Sequence, residues 1–220
     1  MTEMNFEQAR FNMIEQQIRP AEVLDQKVLD IIANTPREDF VPENYRKLAF
    51  ADINIPLEHG QVMMTPILEA RLLQALNIQP TESVLEVGTG SGYLTACLAK
   101  LARHVYSVEI FSDFSERAKH KLNGHSLTNV TLDVGDASNG WEAHAPYDVI
   151  TLTGSLMLPP ESFKHCLNVG GRMFAIVGEP PVREGILITR VDEHQWSQES
   201  LMETDIPPLL NAPQPQRFVL

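Results

Sequence analysis

Ten residues, Val84-Leu85-Glu86-Val87-Gly88-Thr89-Gly90-Ser91-Gly92-Tyr93, constrain this chain more than any other stretch. A short apolar run breaks into three glycines at alternate positions, and a helical pattern follows at once. The expected structure is strand, tight turn, helix. Such a turn lets a ligand approach bare backbone at a helix N-terminus. A dinucleotide fingerprint, Gly-x-Gly-x-x-Gly, would need a third glycine at position 93, where Tyr93 stands. What precedes the turn is Glu86, a carboxylate that repels a pyrophosphate and suits an ammonium group. S-adenosylmethionine carries an ammonium and a sulfonium and no phosphate. Gly88, Thr89, Gly90 and Gly92 are the turn residues expected to touch it.

The following ~60 residues sharpen that reading. His104 to Val108 reads as a second strand ending in Glu109, ~20 residues beyond the turn, where an acid can accept hydrogen bonds from both ribose hydroxyls. Val130 to Val134 reads as a third strand and closes in Gly135-Asp136-Ala137. Asp136 is placed to take the exocyclic amine of an adenine, with Ala137 beside it. A single acid at a strand end is usually a solvated residue. Three at the C-terminal ends of successive strands sit where open α/β sheets bind ligands.

The rest of the chain supports one α/β domain of 1–220, with a helical and loop extension over 1–80 and a cofactor-binding core over 81–220. Apolar spacing predicts helices over 5–19 and 24–33, the latter packing through Leu24, Val28, Ile31 and Ile32. Residues 40–61 are irregular, and a long loop of this kind is often functional. Pro66 starts a helix to about Asn77. From Ser83 the pattern alternates: strand 83–87, helix 91–101, strand 104–108, helix 113–124, strand 129–134, strand 147–152, helix 160–167, strand 172–177. That rhythm predicts a doubly wound, mostly parallel Rossmann-like sheet with helices on both faces. Residues 183–191 and 196–204 read as a final antiparallel hairpin. The Pro-rich tail from Ile206 reads as extended chain.

Charge narrows the partners. With 17 Lys and Arg against 29 Asp and Glu the net charge is −12, which argues against nucleic acid and anionic membranes. No apolar run approaches the ~20 residues of a membrane span, and the first twenty residues lack a signal-peptide layout. Cys97 and Cys166, both within predicted helices, do not form a disulfide framework; a reducing cytoplasm is the expected location. The seven His lack metal-site spacing, so no metal is expected.

At this point the sequence resembles the protein-L-isoaspartate O-methyltransferases over most of its length. The resemblance lies in Arg37-Glu38-Asp39-Phe40-Val41-Pro42, Ala51 to Gln61, Glu69-Ala70-Arg71, Leu85 to Tyr93, Tyr106 to Glu109, Gly135-Asp136 and Ala145 to Ile150. It implies a seven-stranded methyltransferase sheet. It also implies methyl transfer from S-adenosylmethionine, leaving S-adenosylhomocysteine, to the α-carboxylate of isoaspartyl residues in damaged proteins. On this pattern His59 and Gln61 belong to the substrate side, and Thr153 of Thr153-Gly154-Ser155 to either the substrate or the cofactor side. The oligomeric state is left open.

One segment departs from the family. Members read Gly-Gln-Thr-Ile-Ser-x-Pro where this chain reads Gly60-Gln61-Val62-Met63-Met64-Thr65-Pro66. The family's Ser, understood to lie beside sulfonium and substrate carboxylate, falls on Met64, which has no hydrogen-bond donor. Thr65, one position on, replaces it only if the loop shifts register; otherwise it caps the helix at Pro66. Met64 and Thr65 are therefore the candidate residues at the reacting centre. Two other readings stay open: a diverged enzyme with another methyl acceptor, and a protein that binds the cofactor without catalysis. A nicotinamide dehydrogenase fits poorly, because the third glycine is misplaced.

Overall fold

The computed structural model describes residues 5–215. Asn5 starts the first helix by accepting a hydrogen bond from Gln8 N–H, and α1 runs over Phe6–Met13. The predicted helix over 5–19 is not uniform: the chain widens into a π-helix at Ile14–Ile18 and tightens into a 3₁₀ turn at Arg19–Ala21. Met13, Ile14 and Ile18 are all buried. Helix α2, Gln26–Ala33, begins only after its cap Asp25, so Leu24 precedes it and is exposed rather than packed. Val28, Leu29 and Ile32 form its buried side.

The irregular stretch folds into 3₁₀ turns at Arg37–Asp39, Glu43–Leu48 and Glu58–Gly60, and a small hairpin of β1 (Ile55–Pro56) and β2 (Val62–Met63). Helix α3, Pro66–Leu76, follows directly. The hairpin thus delivers Val62, Met63 and Met64 to the rim of the main sheet.

That sheet contains β3 (Ser83–Val87), β4 (His104–Glu109), β5 (Val130–Val134), β6 (Tyr147–Leu156), β7 (Leu167–Val177), β8 (Arg183–Arg190) and β9 (Trp196–Thr204). Their order is β5-β4-β3-β6-β7-β8-β9. Pairings are parallel from β5 through β7 and antiparallel from β7 to β9; the alternating pattern predicts the parallel run and the final hairpin predicts the β8–β9 pairing. Helices α4 (Tyr93–Leu101) and α5 (Ser112–Gly124) link β3 to β4 and β4 to β5. Every residue of β3 is buried, as a central parallel strand covered on both faces requires.

Three boundaries differ from expectation. The helix predicted over 160–167 is the single turn α6, Glu161–Lys164. Cys166 therefore lies in the turn before β7 rather than in a helix; both cysteines are free and buried. Strand β7 starts five residues early because Gly170-Gly171 is absorbed as an irregularity in its pairing with β6. Strand β6 runs past 152, so Thr153, Gly154 and Ser155 are strand residues. Among the described residues no helix is long and apolar enough to cross a membrane.

Candidate cofactor and acceptor site

The chain steps outward from β3 to β4 to β5, then returns to the other side of β3 as β6. That reversal opens a crevice at the C-terminal strand ends, where ligands bind in such sheets. A cleft lies there, with ≈ 810 Å³ of empty space when its open mouth is counted.

The floor is the glycine turn. Gly88, Gly90 and Gly92 all have positive φ, at 98°, 51° and 85°. Gly88 also has no room for a side chain, since a Cβ there would lie 2.2 Å from Thr153 Oγ1. The Thr153 hydroxyl points at Val87 O (2.9 Å) and Gly88 O (2.8 Å), fixing the turn from β6. Thr153 therefore lines the cleft while its hydroxyl is spent on backbone.

Glu86 sits beneath the turn, fully buried. One carboxyl oxygen accepts hydrogen bonds from Thr95 Oγ1 and Ser107 Oγ, each at 2.5 Å. Ser107 is in turn 2.6 Å from Thr89 Oγ1, so Thr89 lines the cleft but its hydroxyl serves this network. The other carboxyl oxygen of Glu86 is buried with no partner. Burial pushes the Glu86 carboxyl up to about 8, against the two hydroxyl hydrogen bonds, with Glu109 and Glu69 adding to the rise. An orphaned buried carboxyl oxygen in a cleft invites a cationic donor.

The other two acids stand on the same rim. Glu109 accepts from Gly90 N–H at 2.9 Å and Phe111 N–H at 3.1 Å, which ties the glycine turn to the end of β4. A carboxylate has about four acceptor positions, so it can still receive ligand hydroxyls. Asp136 accepts from Ser138 N–H at 2.9 Å and from Asn211 Nδ2 at 2.8 Å. Those bonds, Ser138's first, hold its carboxyl below the usual range. Ala137 is buried beside it. All three acids and the turn glycines Gly88 and Gly90 line the cleft, whereas Gly92 lies behind it against Ala118.

The acceptor end separates the remaining candidates. Gln61, Val62, Met63 and Met64 line the cleft. Thr65 is turned away: its Oγ1 accepts from Leu68 N–H at 3.2 Å as the cap of α3, which is the helix-start role of a Thr before Pro. His59 is also outside the lining residues; it lies flat on Phe111 with ring centroids 4.0 Å apart, and its Nε2 is 3.1 Å from Asp113 Oδ1.

Two residues carry no assigned role in the sequence reading and prove central. Arg37, fully buried, forms an ion pair with Glu69 and donates from Nη2 to Met64 O at 2.6 Å. Glu69 lines the cleft. Burial raises its carboxyl to about 7, against the pull of Arg37. A signal was present: Glu69 falls on the apolar stripe of α3 with Leu72, Leu73 and Leu76, a position for a charge only if it is paired.

These shifts have a signed consequence. Glu86 and Glu69 bind protons more tightly folded than unfolded, so unfolding releases protons between pH ~4.5 and ~8. Cofactor-free protein should therefore melt at a lower temperature at pH 8.5 than at pH 5. Glu86→Gln should remove much of that fall while weakening cofactor binding. Parallel pH profiles for wild type and variant would refute the burial of a protonatable Glu86.

The fold and the cleft together define a Rossmann-like methyltransferase. The sequence model of the protein-L-isoaspartate(D-aspartate) O-methyltransferase family matches residues 8–212. A protein-L-isoaspartate O-methyltransferase of Protochlamydia amoebophila is 38% identical over 200 residues, covering 90% of this chain and 95% of that one. One of Rhodopseudomonas palustris is 37% identical, covering 91% and 92%. A Plasmodium falciparum structure described as a protein-L-isoaspartate O-methyltransferase, determined with S-adenosyl-L-homocysteine, shares the fold with a TM-score of 0.78 at 19% identity, over 94% of this chain and 99% of that one. The chain belongs to the protein-L-isoaspartate(D-aspartate) O-methyltransferase family.

Proposed function

We propose that this chain methylates the α-carboxylate of isoaspartyl residues in proteins, using S-adenosylmethionine. The observation that carries the cofactor half is the unpartnered buried oxygen of Glu86 beneath a glycine turn, with Glu109 and Asp136 on the same rim. Glu86 would hold the ammonium, Glu109 the ribose hydroxyls and Asp136 the adenine amine. Family membership carries the acceptor half.

When bound, the cofactor supplies an electrophilic methyl group on sulfur. A substrate carboxylate is already ionised at neutral pH and needs no base. The chain's part is to hold the attacking oxygen in line and exclude water. Val62, Met63, Met64, Leu209 and Leu210 offer an apolar wall for this. The carbonyl of Met64 is held by Arg37, which keeps that wall rigid.

A second reading has its own support. Met64 presents no donor to a substrate carboxylate, Thr65 is committed to its helix, and Glu69 lines the same end. Those features favour an acceptor that is not an anion. Labelled methyl transfer to an isoaspartyl peptide, with the aspartyl peptide as control, separates the readings. Base-labile label on the isoaspartyl peptide alone is the expected result. Cofactor binding without such label would move the assignment to a different acceptor or to a non-catalytic role.

A further inference from the structure

The C-terminal segment 205–212 is a strap laid across the cleft. Its first anchor is on β6 and β8. Arg183 pairs with Asp205 and donates to Ile206 O at 3.1 Å, and Ser155 Oγ donates to Ile206 O at 2.9 Å. Ser155 N–H donates to Pro207 O at 3.0 Å, and Leu209 N–H donates to Ser155 O at 2.8 Å, so the segment adds a short parallel pairing to the end of β6. The approach is close: a Cβ on Gly154 would lie 2.9 Å from both Leu209 N and Leu209 Cα. From there Leu209 and Leu210 run along the cleft wall. The second anchor is beyond β5, where Asn211 meets Asp136 and Ala212 is buried. β6 and β5 flank β3 and β4, so the strap spans the strand ends that carry the glycine turn and Glu109.

Asn211 has a left-handed backbone, φ 61°, a conformation that Asn adopts more readily than most side chains. That turn directs its amide at Asp136 Oδ2, while Ser138 N–H holds Oδ1. Two donors on two oxygens fix the carboxylate's rotation. Each oxygen keeps a further lone pair for a ligand. A carboxylate so oriented accepts from an amine and repels a carbonyl oxygen.

We infer that Asn211 is a cofactor-positioning residue that makes this cleft select adenine: it locks Asp136 as a fixed acceptor at the base edge and seals the strap over it. The inference rests on the cofactor reading above and adds a residue and a selectivity to it.

Calorimetric titration of the full chain with S-adenosylhomocysteine and with S-inosylhomocysteine, whose base carries a carbonyl in place of the amine, tests it. Wild type should prefer the adenine compound by at least about a hundredfold, as a site built to hydrogen-bond one group rejects its replacement. Asn211→Gly retains the left-handed backbone and removes only the amide. It should weaken S-adenosylhomocysteine about tenfold and shrink the preference about tenfold, with at most a small fall in the melting temperature of the ligand-free protein. Asn211→Asp, which sets a second carboxylate against Asp136, should weaken binding further, with partial recovery in high salt. An unchanged preference in Asn211→Gly overturns the inference, as does an equal loss for both compounds with a markedly lowered melting temperature. Wild type that binds neither compound removes the cofactor reading itself, a result distinct from either.

Discussion

Replacing Glu109 with alanine is expected to raise the dissociation constant for S-adenosylmethionine about a hundredfold or more, measured by calorimetry. The residue does two things at once. Its carboxylate holds Gly90 N–H and Phe111 N–H, so the glycine turn is tied to the end of β4. Its remaining lone pairs face the cleft, where ribose hydroxyls would donate. A hydrogen bond to a charged group contributes about 1.5–3 kcal/mol, and each 1.4 kcal/mol is tenfold in affinity. Two such bonds lost account for the two decades. Loosening of the turn adds to this, because Gly90 then has no fixed acceptor. Glu109→Gln should fall near alanine: an amide has one acceptor oxygen, and its NH₂ would confront Gly90 or Phe111 N–H. The fold should survive, since both freed N–H groups border an open cleft that water can enter. Unchanged affinity would refute the ribose assignment.

The contrast between what could and could not be read from sequence follows from distance along the chain. Glu86, Glu109 and Asp136 each close a local strand pattern, and parallel strands place their C-terminal ends together. Three separate local readings therefore converge on one rim without any contact being known. Leu24 failed for a local reason too: it sits one residue before the capping Asp25, outside the helix that its apolarity suggested. Cys166 was misplaced because the helix after Pro160 is a single turn, Glu161–Lys164, and β7 already begins at Leu167. The pairings that determine the acceptor end are long-range. Arg37 and Glu69 are 32 residues apart, and Asn211 and Asp136 are 75 apart. Neither pair leaves a periodic trace. Only the oddity of an acid on an apolar helix stripe pointed to the first, and nothing local pointed to the second. Thr65 shows the converse: its two possible roles were both visible, and the structure gives the hydroxyl to the helix N-terminus.

Arg37→Met should be the most damaging single change to stability, lowering the unfolding free energy by about 3–5 kcal/mol, the usual cost of stripping one partner from a buried ion pair. Arg37 and Glu69 are both inaccessible, and Arg37 further supports Met64 O and lies over the Tyr93 ring at 4.7 Å. Burial already raises the Glu69 carboxyl to about 7 against the pull of Arg37, so losing Arg37 pushes it further up, and the deficit relative to wild type should grow as the pH rises above about 7, where the wild-type pair is ionised. Against a total stability of about 5–15 kcal/mol for a domain, this removes a large fraction of the margin. The double variant Arg37→Met/Glu69→Leu should recover most of the loss, because two well-packed apolar side chains need no counter-charge. A residue of about 1–3 kcal/mol should persist, since Met64 O then has no donor. Denaturant unfolding of the wild type, both single variants and the double variant measures the coupling directly. Additive single losses would mean that the two groups do not act as a pair. A strong coupling with the double variant still unable to bind cofactor would assign Arg37 and Glu69 to the shape of the cleft as well as to its stability, because Arg37 holds the Met64 carbonyl and Met64 and Glu69 both line the cleft.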